Sequence, residues 1–430
     1  MSGKLAILGG EKTRNKPWPP FPVLGEEEKK AVLEVLDEGR LSYFIASVGK
    51  DFLGGKKIQE LEQLFCKYHN VKYAVSFNSA TAALHAAIVA CTVKPGEEVI
   101  TTPYTFTSTA TSAFMHNAVP VFVDIKPDTC NIDPVKIKKQ ISPLSRAIIP
   151  VHLFGNPADM DEIMEIAEDN DLKVIEDCAQ APGAKYKNKY VGTIGDCGIF
   201  SLTENKNITS GEGGILITND EEIADISRLI RNHGEAVVAG QKKRTYKSTI
   251  LGWNYRMTEI DAAVGVEQFK KMDSFNNVRI KLSEYLSKNL QDIDWLEPPT
   301  VYDGNKHVYY VYHMFYNKEK TGIDRSSFLE ALNAEGIPFA GGYVKPLYYN
   351  PIFHENKPFI FKHYKGNATY EPGMCPVAEK CHFEKLILTP VPRPTANEAD
   401  MEDVVSAIIK IDENLYSLKN KNPSNVLVKS

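Results

Sequence analysis

No stretch of this sequence reaches the ~18 consecutive apolar residues that a membrane-spanning helix requires. The apolar run at residues 5–8 is too short for the core of a signal peptide. The expectation is a soluble, cytoplasmic protein with no membrane partner. Basic runs are missing as well: net charge is −5 with the lysines and arginines scattered, so nothing favours nucleic acid. The seven cysteines form no CxxC pair, and the nearest two, Cys375 and Cys381, have no His/Cys set at ligand spacing. This speaks against a zinc site or a disulfide framework and suits a reducing compartment. Internal repeats and low-complexity segments are absent too.

What is present is a chain of 430 residues, 43% hydrophobic and 24% charged. That composition is globular, and the length exceeds one ordinary core, so two domains are expected. Residues 1–25 carry Pro17, Pro19, Pro20 and Pro22 and read as an extended arm. Helical spacing follows over 26–38, then an irregular stretch over 41–55. Ile58, Leu61, Leu64, Phe65 and Tyr68 mark one face of a second helix. From Tyr73 a rhythm sets in. Strands are predicted at 73–77, 99–102, 119–124, 147–151, 172–176, 199–202 and 215–218. Helices lie between several of them, among them an Ala-rich one ending near Cys91 and another over 160–169. Such alternation predicts an α/β fold, a mostly parallel sheet covered by helices on both faces. Ligands bind beyond the carboxyl ends of strands in these sheets.

Four strand ends carry chemistry. Asn78-Ser79-Ala80-Thr81 opens a helix, where free N–H groups, the helix dipole and two hydroxyls would cradle a phosphate; read alone it is a plain N-cap. Pro103-Tyr104-Thr105-Phe106-Thr107 sets aromatics near the site mouth, for ring stacking or for the core. Glu176-Asp177 runs off a buried strand, and a buried carboxylate needs a metal, an arginine or a protonated ring nitrogen, unless Asp177 is merely a cap. No His or Asp cluster accompanies it at ligand spacing, so no metal is expected. The fourth end is Ser201, followed by Lys206 on a loop that turns through Gly211-Glu212-Gly213-Gly214 into the next strand. A lone loop lysine is ordinarily solvated. Together, however, a phosphate cradle, a stacking face, a carboxylate and an amine are what pyridoxal phosphate needs.

In order and spacing, Asn78-Ser79-Ala80-Thr81, Pro103-Tyr104-Thr105-Phe106, Pro150-Val151-His152-Leu153-Phe154-Gly155, Glu176-Asp177-Cys178-Ala179-Gln180-Ala181, the lysine loop and Trp253-Asn254-Tyr255-Arg256-Met257 resemble the DegT/StrS family of sugar aminotransferases over nearly the whole chain. The resemblance implies the fold-type I architecture of pyridoxal phosphate enzymes. It makes Lys206 the Schiff-base lysine, Asp177 the partner of the pyridine nitrogen and Gln180 the neighbour of the ring hydroxyl. Phe106 becomes the stacking ring, and Ser79, Ala80, Thr81 and Ser201 the phosphate cradle. Asn254 becomes a residue reaching the phosphate in the other subunit of a homodimer with shared sites. Relatives often carry Gly at the position of Ala80, and a need for positive φ there would strain the turn.

After Met272 the rhythm changes. A helix is predicted over 278–290, strand-like alternation over 307–315, and helices over 326–334 and 400–411. These suggest a smaller C-terminal α+β domain, with a division into 1–275 and 276–430. Between its elements a long loop region, 343–381, offers Tyr343 and Tyr348, followed by His382, as substrate contacts or as ordinary packing. The resemblance implies transamination from glutamate or glutamine to a keto group on a sugar or cyclitol. Pro17-Trp18-Pro19, Tyr343-Val344-Lys345-Pro346-Leu347-Tyr348 and Cys375-Pro376-Val377-Ala378-Glu379-Lys380 resemble the keto-inositol branch. A nucleotide-linked keto-sugar is the alternative acceptor. A dehydratase on the same scaffold would carry histidine in place of Lys206, and a non-catalytic sensor would not need Lys206, Asp177 and Gln180 intact.

Overall fold

The computed structural model describes residues 3–44, 50–236, 246–355 and 358–419. Part of the stretch read as irregular, 45–49, lies outside them.

Seven strands form the larger sheet: β1 (Tyr73–Phe77), β2 (Glu98–Thr101), β3 (Val119–Phe122), β4 (Ser145–Ile149), β5 (Lys173–Asp177), β6 (Cys197–Ser201) and β7 (Gly214–Thr218). Their order is β1-β7-β6-β5-β4-β2-β3. Strands β3, β2, β4, β5 and β6 run parallel, whereas β7 is antiparallel to both neighbours. Alternation along each strand splits the sheet between two cores. Val75, Val99, Ile149, Ile175, Ile199 and Leu216 face one cluster, and Ala74, Ile100, Ile148, Val174, Phe200 and Ile217 the other.

On the first face lies α3 (Ala80–Ala90), following α1 (Glu26–Glu38) and α2 (Lys56–His69) in the chain. Its alanines are buried on nearly every side, so a wide apolar face replaces an amphipathic stripe. They let it pack against the sheet, α4 (Ser108–Met115) and α6 (Glu221–Arg231), whereas α5 (Met160–Asp169) packs into the core of the opposite face. The helices at 26–38 and 160–169 agree with the sequence reading residue for residue.

The sequence reading begins a new helix at 278, past the change of rhythm at Met272, but the structure has no break there. α7 runs unbroken over Glu259–Leu290, 32 residues. Its first half packs Ala262, Val266 and Met272 into the large-sheet core, and its second half packs Leu282, Leu286 and Leu290 into a second core. Midway, the buried positions are polar, Asn276 and Arg279, which erases the apolar period a sequence reading depends on.

The second core backs a four-stranded antiparallel sheet of β8 (Leu296–Glu297), β9 (Tyr312–Tyr316), β10 (Ala340–Gly341) and β11 (Leu386–Thr389), in the order β8-β9-β11-β10. α8 (Arg325–Ala334) and α9 (Glu398–Asp412) contribute to that core. The N-terminal arm also docks there. Leu5 is buried in this cluster, Trp18 Nε1 donates to Gly336 O (3.0 Å), and the buried Arg14 guanidinium meets Asp400 of α9 at 2.9 Å. The alternation at 307–315 forms a strand only from Tyr312. Upstream of it, Tyr309 takes a left-handed φ of 46°, and Val308 and Tyr310 bond to Gly155 and Phe154 instead of to the sheet.

Candidate active site

Asp177 is the last residue of β5 and is buried. Thr109 Oγ1 donates to its Oδ2 (2.8 Å) and the Ala179 amide to its Oδ1 (3.1 Å). Burial pushes its carboxyl above the usual range, and these two bonds and the charge of Lys206 oppose that rise. Thr109 sits on the first turn of α4 and was not singled out in the sequence. Its relation to Asp177 arises from a neighbouring strand end, and no spacing reveals it.

Lys206 lies on the loop between β6 and β7, where its amide donates to Thr203 O (3.0 Å). Its side chain is half-buried, with Nζ 4.5 Å from the centroid of the Tyr310 ring. Burial draws the amine down to about 8, against the attraction of Asp177. An amine in that range is largely neutral at mildly alkaline pH and can act as nucleophile or base.

Gln180 is held at both ends. Its Oε1 accepts from the Phe154 amide (2.7 Å) and its Nε2 donates to Tyr343 Oη (3.1 Å). Phe154 has a left-handed φ of 59°, so this bond supports a strained turn beside the site. Tyr343 is thus beside the site, whereas Tyr348 is not. Tyr348 is buried against Phe122 and donates to Glu379 Oε1 (2.6 Å), which makes it a packing residue. His382 lies edge-on to Tyr104, 6.3 Å between ring centroids. Tyr104 itself is fully buried, while Phe106, on the same loop, is 59% exposed.

The cradle residues converge through strand pairing. Gly214 of β7 stands opposite both Phe77 of β1 and Ser201 of β6. Ser79 therefore begins α3 on one side of Gly214, and Ser201 ends β6 on the other. Ser79 Oγ accepts from the Ala82 amide (3.1 Å) and its carbonyl from the Ala83 amide (3.1 Å). Among the described residues no acceptor takes the amides of Ala80 and Thr81. A Cβ on Gly214 would stand 2.4 Å from the Ala80 amide nitrogen, so only glycine leaves this floor open. Ala80 itself begins the helix and is not among the residues of positive φ, so alanine there strains nothing. These features fit an anionic group bound over the helix start.

Asn254 is exposed, and its backbone pairs with Asn232. Thr258, not the 253–257 segment, caps α7 by accepting from the Asp261 amide (3.2 Å). One close group of potential metal ligands occurs among the described residues: His152, Glu176 and Cys178. His152 Nδ1 accepts from the Ala158 amide, so its Nε2 carries the proton toward Glu176 (3.1 Å). Glu176 also accepts from the amides of Gly192, Ile194 and Gly195. The group is committed to holding the 190–195 turn under β5. A cleft of about 680 Å³ between β3 and residues 365–376 shares no residue with the site.

The sequence profile of the DegT/DnrJ/EryC1/StrS aminotransferase family matches residues 23–409. A putative L-glutamine:3-amino-2,3-dideoxy-scyllo-inosose aminotransferase of Streptoalloteichus tenebrarius is 34% identical over 97% of this chain and 100% of its own length. GDP-perosamine synthase of Caulobacter vibrioides is 36% identical over 91% of this chain and 96% of its own. Among solved structures, the aminotransferase from Psychrobacter cryohalolentis superposes with a TM-score of 0.83 at 28% identity, covering 93% of this chain and 100% of that one.

Proposed function

The chain belongs to the DegT/DnrJ/EryC1/StrS aminotransferase family, and from that premise we propose that it moves an amino group from glutamate or glutamine to a keto group on a cyclitol or sugar, with pyridoxal phosphate carried on Lys206. The observation that carries the proposal is the half-buried Lys206 amine, brought down to about 8, within the field of a buried Asp177 and of an open helix start.

The residues fit the group. The free amides of Ala80 and Thr81, with the hydroxyls of Ser79, Thr81 and Ser201, would hold the phosphate. The Asp177 carboxylate would hold a proton on the ring nitrogen. Gln180 would flank the ring hydroxyl, and the exposed Phe106 would cover the ring face. Bound there, the cofactor supplies an electron-withdrawing ring that takes up the charge left on the donor carbon. Lys206 Nζ does the proton work: it takes the α-proton of the donor and would return it to the carbon on the far side of the nitrogen, two bonds away, a role typically worth ~10²–10⁴-fold. Thr109 holds Asp177 in place.

Further parts of the proposal concern organisation. The working unit is a homodimer in which Asn254, exposed in its own chain, reaches the phosphate of the neighbouring site. The two folding units divide within α7, as 1–275 and 276–430, with the arm crossing to the second. For the acceptor, the match to the inosose relative extends over 97% of the chain. Together with the likeness of residues 17–19, 343–348 and 375–380 to that branch, this favours a keto-inositol. The 36% identity to GDP-perosamine synthase supports a nucleotide-linked keto-sugar as the second reading. The test is mass-detected transamination of a panel holding both acceptor classes, with glutamate and glutamine as donors. Turnover of keto-inositols alone supports the first reading, and turnover of nucleotide sugars alone the second. Loss of water without nitrogen transfer, or no turnover of either class, would overturn the transaminase assignment.

A further inference from the structure

Tyr310 belongs to none of the motifs that point to the site, yet its ring faces the reacting nitrogen at 4.5 Å. Its placement is over-determined. The Tyr310 amide donates to Phe154 O (2.8 Å), and Arg279 Nη1 donates to the carbonyls of Tyr309 (3.2 Å) and Tyr310 (3.1 Å). Asn207, the neighbour of Lys206, donates to Val308 O (3.1 Å). The Tyr309 φ of 46° is unusual for an aromatic residue, a conformation that persists only when the surroundings impose it. Here His307 imposes it: its Nδ1 accepts from the Tyr309 amide (3.0 Å) and its ring stacks on Tyr309 at 3.8 Å. Without this turn the strand would begin earlier and its alternation would continue through position 310.

We propose that Tyr310 is a positioning residue for Lys206: its ring face is the seat that holds the ammonium whenever that nitrogen carries no covalent partner. The physical need is plain. The Lys206 side chain is half-buried, its ammonium is poorly solvated, and Asp177 is the charge that attracts it. His152 and Tyr343 bear on Asp177, and Arg279 lies behind Tyr310. A ring face attracts a cation electrostatically, and the more strongly the less water surrounds it. That attraction holds the released amine in one place and keeps it from losing its proton too early. The meaning for turnover rests on the transaminase reading, but the seat itself does not.

The experiment measures the ionisation of Lys206 without turnover. Full-length protein freed of cofactor, with its Tyr310→Phe and Tyr310→Leu variants, is reductively methylated with formaldehyde and an amine borane over a range of pH. Labelling of the Lys206 peptide is read by mass spectrometry, and thermal transitions confirm folding. Tyr310→Phe keeps the ring and should keep the wild-type midpoint. Tyr310→Leu should lower the midpoint by about one pH unit. Tyr310→Met takes its place if the Leu variant lacks a thermal transition. An unchanged midpoint in the ring-free variant, or an equal shift in Tyr310→Phe, would falsify the seat. A shifted midpoint in a protein that transaminates nothing would leave the seat standing and remove the functional reading.

Discussion

Asp177, buried, and Lys206, half-buried, are each desolvated enough to disfavour their charged forms, and each also restores the charge of the other. Lys206 is the more revealing of the two. Its charged form is disfavoured by burial, so the neutral amine appears at a lower pH than for a solvated lysine. The ammonium cannot attack an aldehyde, so covalent capture of pyridoxal phosphate should accelerate as pH rises and level off above about 8. Stopped-flow absorbance of capture checks this, and a rise that continues to the usual lysine range would contradict it. Lys206→Ala should abolish both the borohydride-fixable adduct and turnover while retaining the thermal transition; an adduct mapped to another lysine would overturn the assignment. Thr109 gives a subtler test. Its bond favours the Asp177 carboxylate, so removing it in Thr109→Val raises a carboxyl that burial has already raised. A bond to a charged group is worth about 1.5–3 kcal/mol. The acidic limb of the turnover profile should therefore move upward. Asp177→Asn removes the charge altogether and should cost about 10²–10³-fold in rate, with phosphate-dependent binding partly kept.

Among the elements, the antiparallel strand β7 has a role disproportionate to its length. It seats Gly214 between the start of α3 and the end of β6, and so brings together two parts of the cradle that are far apart in the chain. Gly214→Ala puts a Cβ at 2.4 Å from the Ala80 amide. The obstacle is backbone, so the strand or the helix must shift, at a cost of about 1–3 kcal/mol. A lowered thermal midpoint together with weakened cofactor affinity is the expected result, measured by scanning calorimetry and by titration. Ala80→Gly, in contrast, should leave affinity nearly unchanged, since Ala80 takes no positive φ. The strands of the larger sheet were legible in the sequence to within two residues because their apolar runs end at turn residues, whereas β9 was read five residues early and β8, β10 and β11 were not read as strands. The continuity of α7 was not, because Asn276 and Arg279 take buried places where an apolar residue would have signalled a helix.

For the whole molecule, the outer surface suggests incompleteness as a monomer. Leu33 and Leu36 of α1, Leu251 and Phe106 are exposed, the last two flanking elements of the candidate site. A homodimer would cover such residues and give Asn254 a partner. Sedimentation should show a dimer, and subunit mixing tests the shared site. A Lys206→Ala chain exchanged with an Asn254→Trp chain yields a heterodimer with both lesions in one site and none in the other. Activity should return to at most about a quarter of wild type, as random pairing of equal amounts allows. Demonstrated exchange without recovery would assign Asn254 to its own chain's site or to none.

The sequence by itself determined the alternating strands and helices, the strand ends that carry Ser79, Asp177, Ser201 and Lys206, and the chemistry those residue types share. Apolar period and turn composition are local properties, and they survive in a linear text. The tertiary structure alone decided that Thr109 holds Asp177, that Gly214 opens the cradle floor, that the arm docks on the second core, and that Tyr310 lies under Lys206. Each of these joins residues tens or hundreds of positions apart through strand order or helix packing, and no local pattern encodes such a distance. Tyr310 shows this most clearly. As one of a run of aromatics it reads as strand, and only the turn at Tyr309, imposed by His307 and held by bonds to Phe154 and Arg279 from two other elements, aims it at the amine.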